Sequence, residues 1–167
     1  MKKQYIFLTL LPVIAIMVMI FIFSSQPATE SSGTSLKVAK AVARMIYPSY
    51  EELSEAGREA LLEPVHFFVR KAAHFTEFAL LGFFLALHIK TVLDYRAVFR
   101  RLYCFSLAFI SGALYAIRDE FHQLFVSERS ANITDIWIDS AGVAFGAAIL
   151  LILVILLQRR KKLKQRD

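Results

Sequence analysis

The chain has a single cysteine, Cys104, so no disulfide can form within it. That cysteine lies inside an apolar run, and the redox compartment is not readable from it. There is no CxxC pair, no Gly-rich loop of the phosphate-cradling kind and no Ser/His/Asp nucleophile signature. Internal repeats and low-complexity tracts are missing too. Charge is scarce as well: 20% of the residues are charged, against 57% hydrophobic, and the mean hydropathy is +0.52. A domain of this size with that balance is too apolar to be an ordinary soluble one. The net charge is +6 and the pI 9.6, which in a soluble protein would raise the question of nucleic acid. Here the basic residues flank apolar runs instead of forming a stripe on one face, so membrane topology accounts for them and no nucleic-acid partner is expected.

The apolar residues come in blocks, and a membrane-spanning helix needs about 20 of them. Four spans are expected, at 5–23, 72–89, 102–121 and 136–157, within a single domain covering 1–167. The third is short, with an uninterrupted part at 102–117, and reaches Phe121 only if Arg118, Asp119 and Glu120 face protein or snorkel. The first run is longer than the apolar part of a signal peptide and no small-x-small cleavage site follows it, so a retained helix is expected. Of the 20 Lys and Arg, Lys2, Lys3, Lys90, Arg96, Arg100, Arg101, Arg159, Arg160, Lys161, Lys162, Lys164 and Arg166 fall on one side of such a bundle. The positive-inside rule then puts both termini in the cytoplasm, the basic tail 158–167 included, and the segment 24–71 outside. The fold class expected is all-α, an integral membrane bundle of four helices with a helical extracytoplasmic segment between the first two.

Within that segment, 35–46 reads as an amphipathic helix, with Leu36, Ala39, Ala43 and Ile46 opposite Lys37, Lys40 and Arg44. Pro48 ends it. Ser49 and Glu52 have capping-box spacing ahead of a second helix, about 50–63, which Pro64 closes. Together the two helices form a cap over the outer end of the bundle.

Ionisable residues interrupt the apolar runs, although lipid penalises each by at least about 2.5 kcal/mol near the bilayer centre. On the expected topology they all reach the outer leaflet. Arg70, His74 and Glu77 are spaced i, i+4, i+7; so are Tyr115, Asp119 and His122, and so are Asp135, Asp139 and Gly142, with Gly146 continuing the line. Each set is one stripe on its helix. Turning the three stripes toward each other would satisfy them, giving an outward-facing polar pocket. Ser24, Ser25 and Gln26 lie at the same level past the first span. Gly142 and Gly146 are a small-xxx-small pair that admits a neighbouring helix. The bland alternative is a polar network that fixes helix register, with Arg70 or Arg129 neutralising Glu77 and Asp119 and His74 bonded to Asp139. Trp137 reads as an interfacial anchor, and His66 and His88 as interface residues.

Three chemistries fit these residue types. His74/Glu77 and Asp119/His122 have i, i+3 metal-ligand spacing, which Asp135 or Asp139 would complete. A His beside a buried carboxylate supports general acid–base catalysis on a lipid-linked substrate. Glu77 or Asp139 as a titrating group supports proton-coupled transport or polar-ligand binding.

The stretches Phe23-Ser-Ser-Gln26, Arg70-Lys-Ala-Ala-His-Phe-Thr-Glu-Phe78 with Leu81-Gly82, Tyr115-x-x-x-Asp-Glu-x-His-Gln-x-Phe125, Arg129, and Asp135-x-x-x-Asp139-x-x-Gly142-x-x-x-Gly146 together resemble the VanZ-like family of bacterial membrane proteins. The resemblance runs from the first span to the last. It implies a small four-helix protein of the cytoplasmic membrane, and its founding member is associated with low-level resistance to the glycopeptide teicoplanin. The family pattern falls on Arg70, His74, Glu77, Asp119, Glu120, His122, Gln123, Arg129, Asp135, Asp139 and Gly142. Two departures stand out: Ser127-Glu128 replaces a frequent Pro-Gly before the arginine, and Asp139 stands where many members have Asn. The expected role is envelope function or teicoplanin-type resistance through the polar pocket, by binding a glycopeptide or cell-wall precursor, with no cofactor and no catalysis assumed. A membrane enzyme on a lipid-linked cell-wall substrate, metal-dependent or not, and a small proton-coupled transporter are the alternatives.

Overall fold

The computed structural model describes residues 2–93 and 98–165, apart from the side chains of 2, 3, 30 and 98–100. Arg96 and Arg166, used above to orient the chain, lie outside the described residues, as do the side chains of Lys2, Lys3 and Arg100. Among the described residues the protein is helical throughout, without strands: α1 (Lys2–Ser24), α2 (Ala28–Ile46), a 3-10 turn at Tyr50–Glu52, α3 (Glu55–Leu93), α4 (Val98–Gln123) and α5 (Ile133–Leu163). Three of these, α1, α3 and α5, are long and apolar enough to cross a membrane. The helix expected as the third span, α4, is not among them, because Arg101 and the Arg118-Asp119-Glu120 run bound its apolar stretch. Large apolar side chains stay exposed along the outside of the bundle, Phe7, Leu8, Leu114, Ile152 and Leu157 among them. In a protein whose surroundings are lipid, such a surface needs no covering.

The central helix is α3, which packs most extensively on α5 and also touches α1, α2 and α4. Glycine sets how close α3 and α5 come. A Cβ at Gly142 would meet the Phe75 carbonyl at 2.5 Å, one at Gly146 would overlap the Ala79 carbonyl, and one at Gly82 would overlap the backbone of Val143. Backbone therefore lies on backbone at all three positions. Around this seam sit two apolar clusters, one of Val13, Ile20, Phe78, Leu81, Tyr115, Ala116 and Val143, the other of Ala86, Ala108, Ala147, Leu150 and Val154.

Three helix boundaries differ from those expected. Pro64 does not close a helix: α3 runs through it as one 39-residue rod. A proline inside a helix deprives the carbonyl four residues earlier, here Ala60, of its donor. Ala60 and Pro64 are both exposed, so that carbonyl is open to the surroundings and the break is tolerated. The capping residue also shifts. Ser49 makes no side-chain cap bond and precedes only the 3-10 turn, whereas Ser54 Oγ accepts the Gly57 N–H at 3.2 Å at the true start of α3. α2 begins earlier than expected, at Ala28 behind an extended Pro27, and buries Ala39 and Ala43. His66 on α3 meets Ser35 Oγ of α2 at 2.7 Å, and His88 meets Thr9 Oγ1 of α1 at 3.1 Å, so both histidines tie helices together.

Candidate functional site

The site is assembled where α1 ends. The last turn of any helix leaves carbonyls without intrahelical donors. Here an arginine supplies them. The connection from α4 to α5 closes a turn in which the Arg129 N–H donates to Val126 O at 3.2 Å, with Glu128 in the left-handed region at φ 62°. That turn brings the Arg129 guanidinium onto the end of α1, where Nη2 donates to Phe23 O at 3.2 Å and Nε to Gln26 O, just past the helix, at 2.9 Å. A cation at the negative end of the helix dipole adds to those bonds. Its Nη1 donates to Gln123 Oε1 at 3.1 Å.

Gln123 is the hub behind it. Its Nε2 donates to Asp119 Oδ2 at 3.0 Å and to Glu120 Oε1 at 3.2 Å. Ser24 Oγ donates to the same Asp119 oxygen at 2.7 Å, and Glu120 Oε2 accepts the Asn132 N–H at 2.8 Å. Asn132 in turn caps α5 by accepting the Thr134 N–H. Two buried carboxylates of α4 thus pin the end of α1 and the start of α5. Arg118 leaves the helix sideways and stands over the rings of Phe21 and Tyr115 at 5.4 and 5.5 Å.

In front of this network is a cavity of about 590 Å³ between the end of α1, α2 and α3. Arg70, His74 and Glu77 line it from α3 and Arg129 from the far side; Ser24, Gln26, Ser31, Thr34 and Ser35 add polar groups, and Val38, Val69, Ala72, Ala73 and Leu80 an apolar wall. His74 joins the cavity to the α3–α5 seam, with Nδ1 3.8 Å from Asp139 Oδ1. Asp139 is fully buried, and neither of its oxygens has a hydrogen-bond partner among the described residues; the same is true of His74 Nδ1 and Asp119 Oδ1. One turn outward on each helix, Lys71 pairs with Asp135.

The three stripes do not share one pocket. The α3 stripe lines the cavity. Asp119, Glu120 and Gln123 form the hydrogen-bonded layer behind it, and Asp135 and Asp139 lie on the far side of α3. The cavity wall comes from α1, α2 and α3, where the spacing argument expected the second, third and fourth spans. His122 turns away from the cavity, onto the Phe21 ring at 4.7 Å, with Nε2 3.1 Å from Ser25 Oγ. Asp119 and His122 therefore do not converge, and among the described residues no three His, Cys, Asp or Glu side chains form a group able to hold a metal. Gly142 and Gly146 serve the seam. The sequence placed Ser24 and Gln26 at the level of the site without assigning them to it, and gave no place in it to Lys71, Asn132 or the cavity-lining Ser31, Thr34 and Ser35. The Ser-Ser-Gln run after an apolar span was the signal for Ser24 and Gln26, and an Asn just ahead of α5 was a capping signal. Nothing local marks Lys71 as the partner of a residue 64 positions away.

An all-helical bundle with three membrane-length apolar helices, and with buried ionisable groups collected at one end, is a membrane-associated protein with a polar centre. The chain belongs to the VanZ/LLP1 family, whose model matches residues 9–156. No curated protein matches the chain, and no solved structure does.

Proposed function

We propose that this is a four-span protein of the bacterial cytoplasmic membrane whose cavity binds a polar group of a cell-envelope component or of a lipoglycopeptide, and so alters susceptibility to teicoplanin-type antibiotics. Both termini are cytoplasmic in this reading, and residues 24–71 lie outside as a helical cap. The fourth crossing is α4. Its Asp119 and Glu120 are bonded inside the bundle and Arg118 rests on aromatic rings, so lipid meets few of its charges. The observation that carries the binding role is the make-up of the cavity. Charged and hydroxyl side chains face an apolar wall across about 590 Å³, a volume suited to a small ligand or the head of an amphiphile.

The test is complementation of a deletion strain. The native gene should restore teicoplanin tolerance, and His74→Ala and Glu77→Gln should lose it at equal membrane levels. Full tolerance from both variants sinks this reading. His74 beside the buried Asp139 carboxylate favours a second one, an enzyme in which Asp139 orients His74 as a general base on a lipid-linked cell-wall substrate. Turnover of such a precursor by the purified chain, lost in His74→Ala, would establish it.

A further inference from the structure

Two guanidinium groups narrow what the cavity takes. All three side-chain bonds of Arg129 go to neutral acceptors, Gln26 O, Phe23 O and Gln123 Oε1, and it forms no ion pair among the described residues. Arg70 is exposed on the cavity wall and makes no hydrogen bond or ion pair among the described residues. The neighbouring cations are spoken for, Lys71 by Asp135 and Arg118 by two rings. Burial holds the Arg129 pKa below its ordinary value and the Arg70 guanidinium acts in the same direction, while Asp119, Glu120 and Glu77 act against them. Both arginines line the one cavity, so their like charges face a shared space.

Among the cavity's own charged groups there are two guanidiniums and one carboxyl, Glu77, with His74 besides. Glu77 lies seven residues along α3 from Arg70, about 10 Å at 1.5 Å per residue. Arg70 is therefore well separated from the cavity's one carboxyl, whereas Arg129 stands nearer the acidic groups and faces the same cavity. The apolar wall of Val38, Val69 and Leu80 has no use for a free ion; it suits a chain attached to one. Guanidinium groups bind phosphate oxygens through paired, charge-assisted N–H bonds, and two of them match a group with three acceptor oxygens better than a carboxylate.

Resting on the binding function proposed above, we infer that the cavity takes a lipid phosphate, with the phosphate between Arg70 and Arg129 and the first carbons of the chain along Val38, Val69 and Leu80. Ser31 and Thr34 hydroxyls line the same space and supply further donors.

The experiment uses the full chain in non-ionic detergent, with hexadecyl phosphate, hexadecanol and inorganic phosphate as probes at one micelle concentration. Hexadecyl phosphate should bind at least about tenfold more tightly than hexadecanol. Arg70→Gln should remove most of that ratio and Arg70→Lys should keep part of it. Ala73→Trp, which fills the cavity, should abolish binding of both amphiphiles. Arg70 is exposed and unbonded, so its variants keep the fold, and circular dichroism and elution volume verify this for all three. Equal binding of phosphate and alcohol, or a ratio unchanged by Arg70→Gln, with Ala73→Trp still blocking both, overturns the phosphate assignment and leaves the cavity reading standing. Binding that Ala73→Trp does not touch overturns both. Displacement of hexadecyl phosphate by equimolar inorganic phosphate makes the site one for the free anion and overturns the lipid assignment.

Discussion

Adding one methyl group at Gly142 should force α3 and α5 apart. The new Cβ would lie 2.5 Å from Phe75 O and 3.2 Å from Ala79 N, whereas ordinary contact begins at 3.4 Å, so the helices must separate by about 0.9 Å. Neither obstacle can swing aside, because both are backbone atoms of α3. Overpacking typically costs about 1–3 kcal/mol, and a gap of this width forfeits a quarter to a half of the dispersion along the rest of the seam. The cost belongs at the upper end, near 3 kcal/mol. Against it, alanine improves on glycine in a helix by up to about 1 kcal/mol. The net expectation for Gly142→Ala is a loss of about 2 kcal/mol. Gly33→Ala in α2 is the control: nothing lies within 4 Å of its added Cβ, so only the propensity gain applies and stability should hold or rise. Denaturant titration in detergent micelles, followed by far-ultraviolet circular dichroism, measures both. If the two variants shift the same way, or Gly142→Ala matches the native protein, the close seam is refuted. His74 and Phe75 share one turn of α3, and Asp139 lies one turn before Gly142. Parting the helices should therefore also lengthen the 3.8 Å His74–Asp139 separation and weaken the function.

Other outcomes follow from single features. Glu128 holds a left-handed φ of 62°, which costs an L-residue about 1 kcal/mol or more, so Glu128→Gly should raise the unfolding midpoint by about that energy; a drop would show that its side chain matters. Asp139 is buried without hydrogen bonds, so the apolar Asp139→Leu, which removes the unpartnered oxygens, should raise stability by about 1–3 kcal/mol, and a fall in thermal midpoint would mean that the contact with His74 holds the seam. Periplasmic reporters fused after Tyr50 and after Ser127 should be active and one fused after Lys90 inactive; a cytoplasmic signal near Arg129 would reverse the orientation.

The departure at Ser127-Glu128 shows how far the sequence could be read. It was visible as a mismatch to a family pattern that prefers Pro-Gly. Only the turn explains the preference, since the residue before Arg129 takes a positive φ that glycine adopts without strain, and the turn exists to carry the guanidinium back to the end of α1. Pro64 is the opposite case. Its local rule predicted a helix end, and packing of α3 on α2 and the rest of the bundle outweighed one lost hydrogen bond.

Composition and blocky hydropathy were enough, by themselves, to point to an all-helical, membrane-associated protein, because continuous apolar blocks of about 20 residues suit spanning helices, whereas barrel strands alternate over about 10. Helical spacing alone determined which ionisable residues share a face, and that Gly142 and Gly146 would lie on a seam. Tertiary structure decided which stripe meets which. It put Arg70, His74 and Glu77 on a cavity against α2, locked Asp119 and Glu120 behind Gln123, turned His122 onto Phe21, and matched Lys71 with Asp135. Spacing along one helix fixes an angle about its own axis. The rotation of each helix against its neighbours is a property of the packed bundle, and the character of the site depends on that rotation.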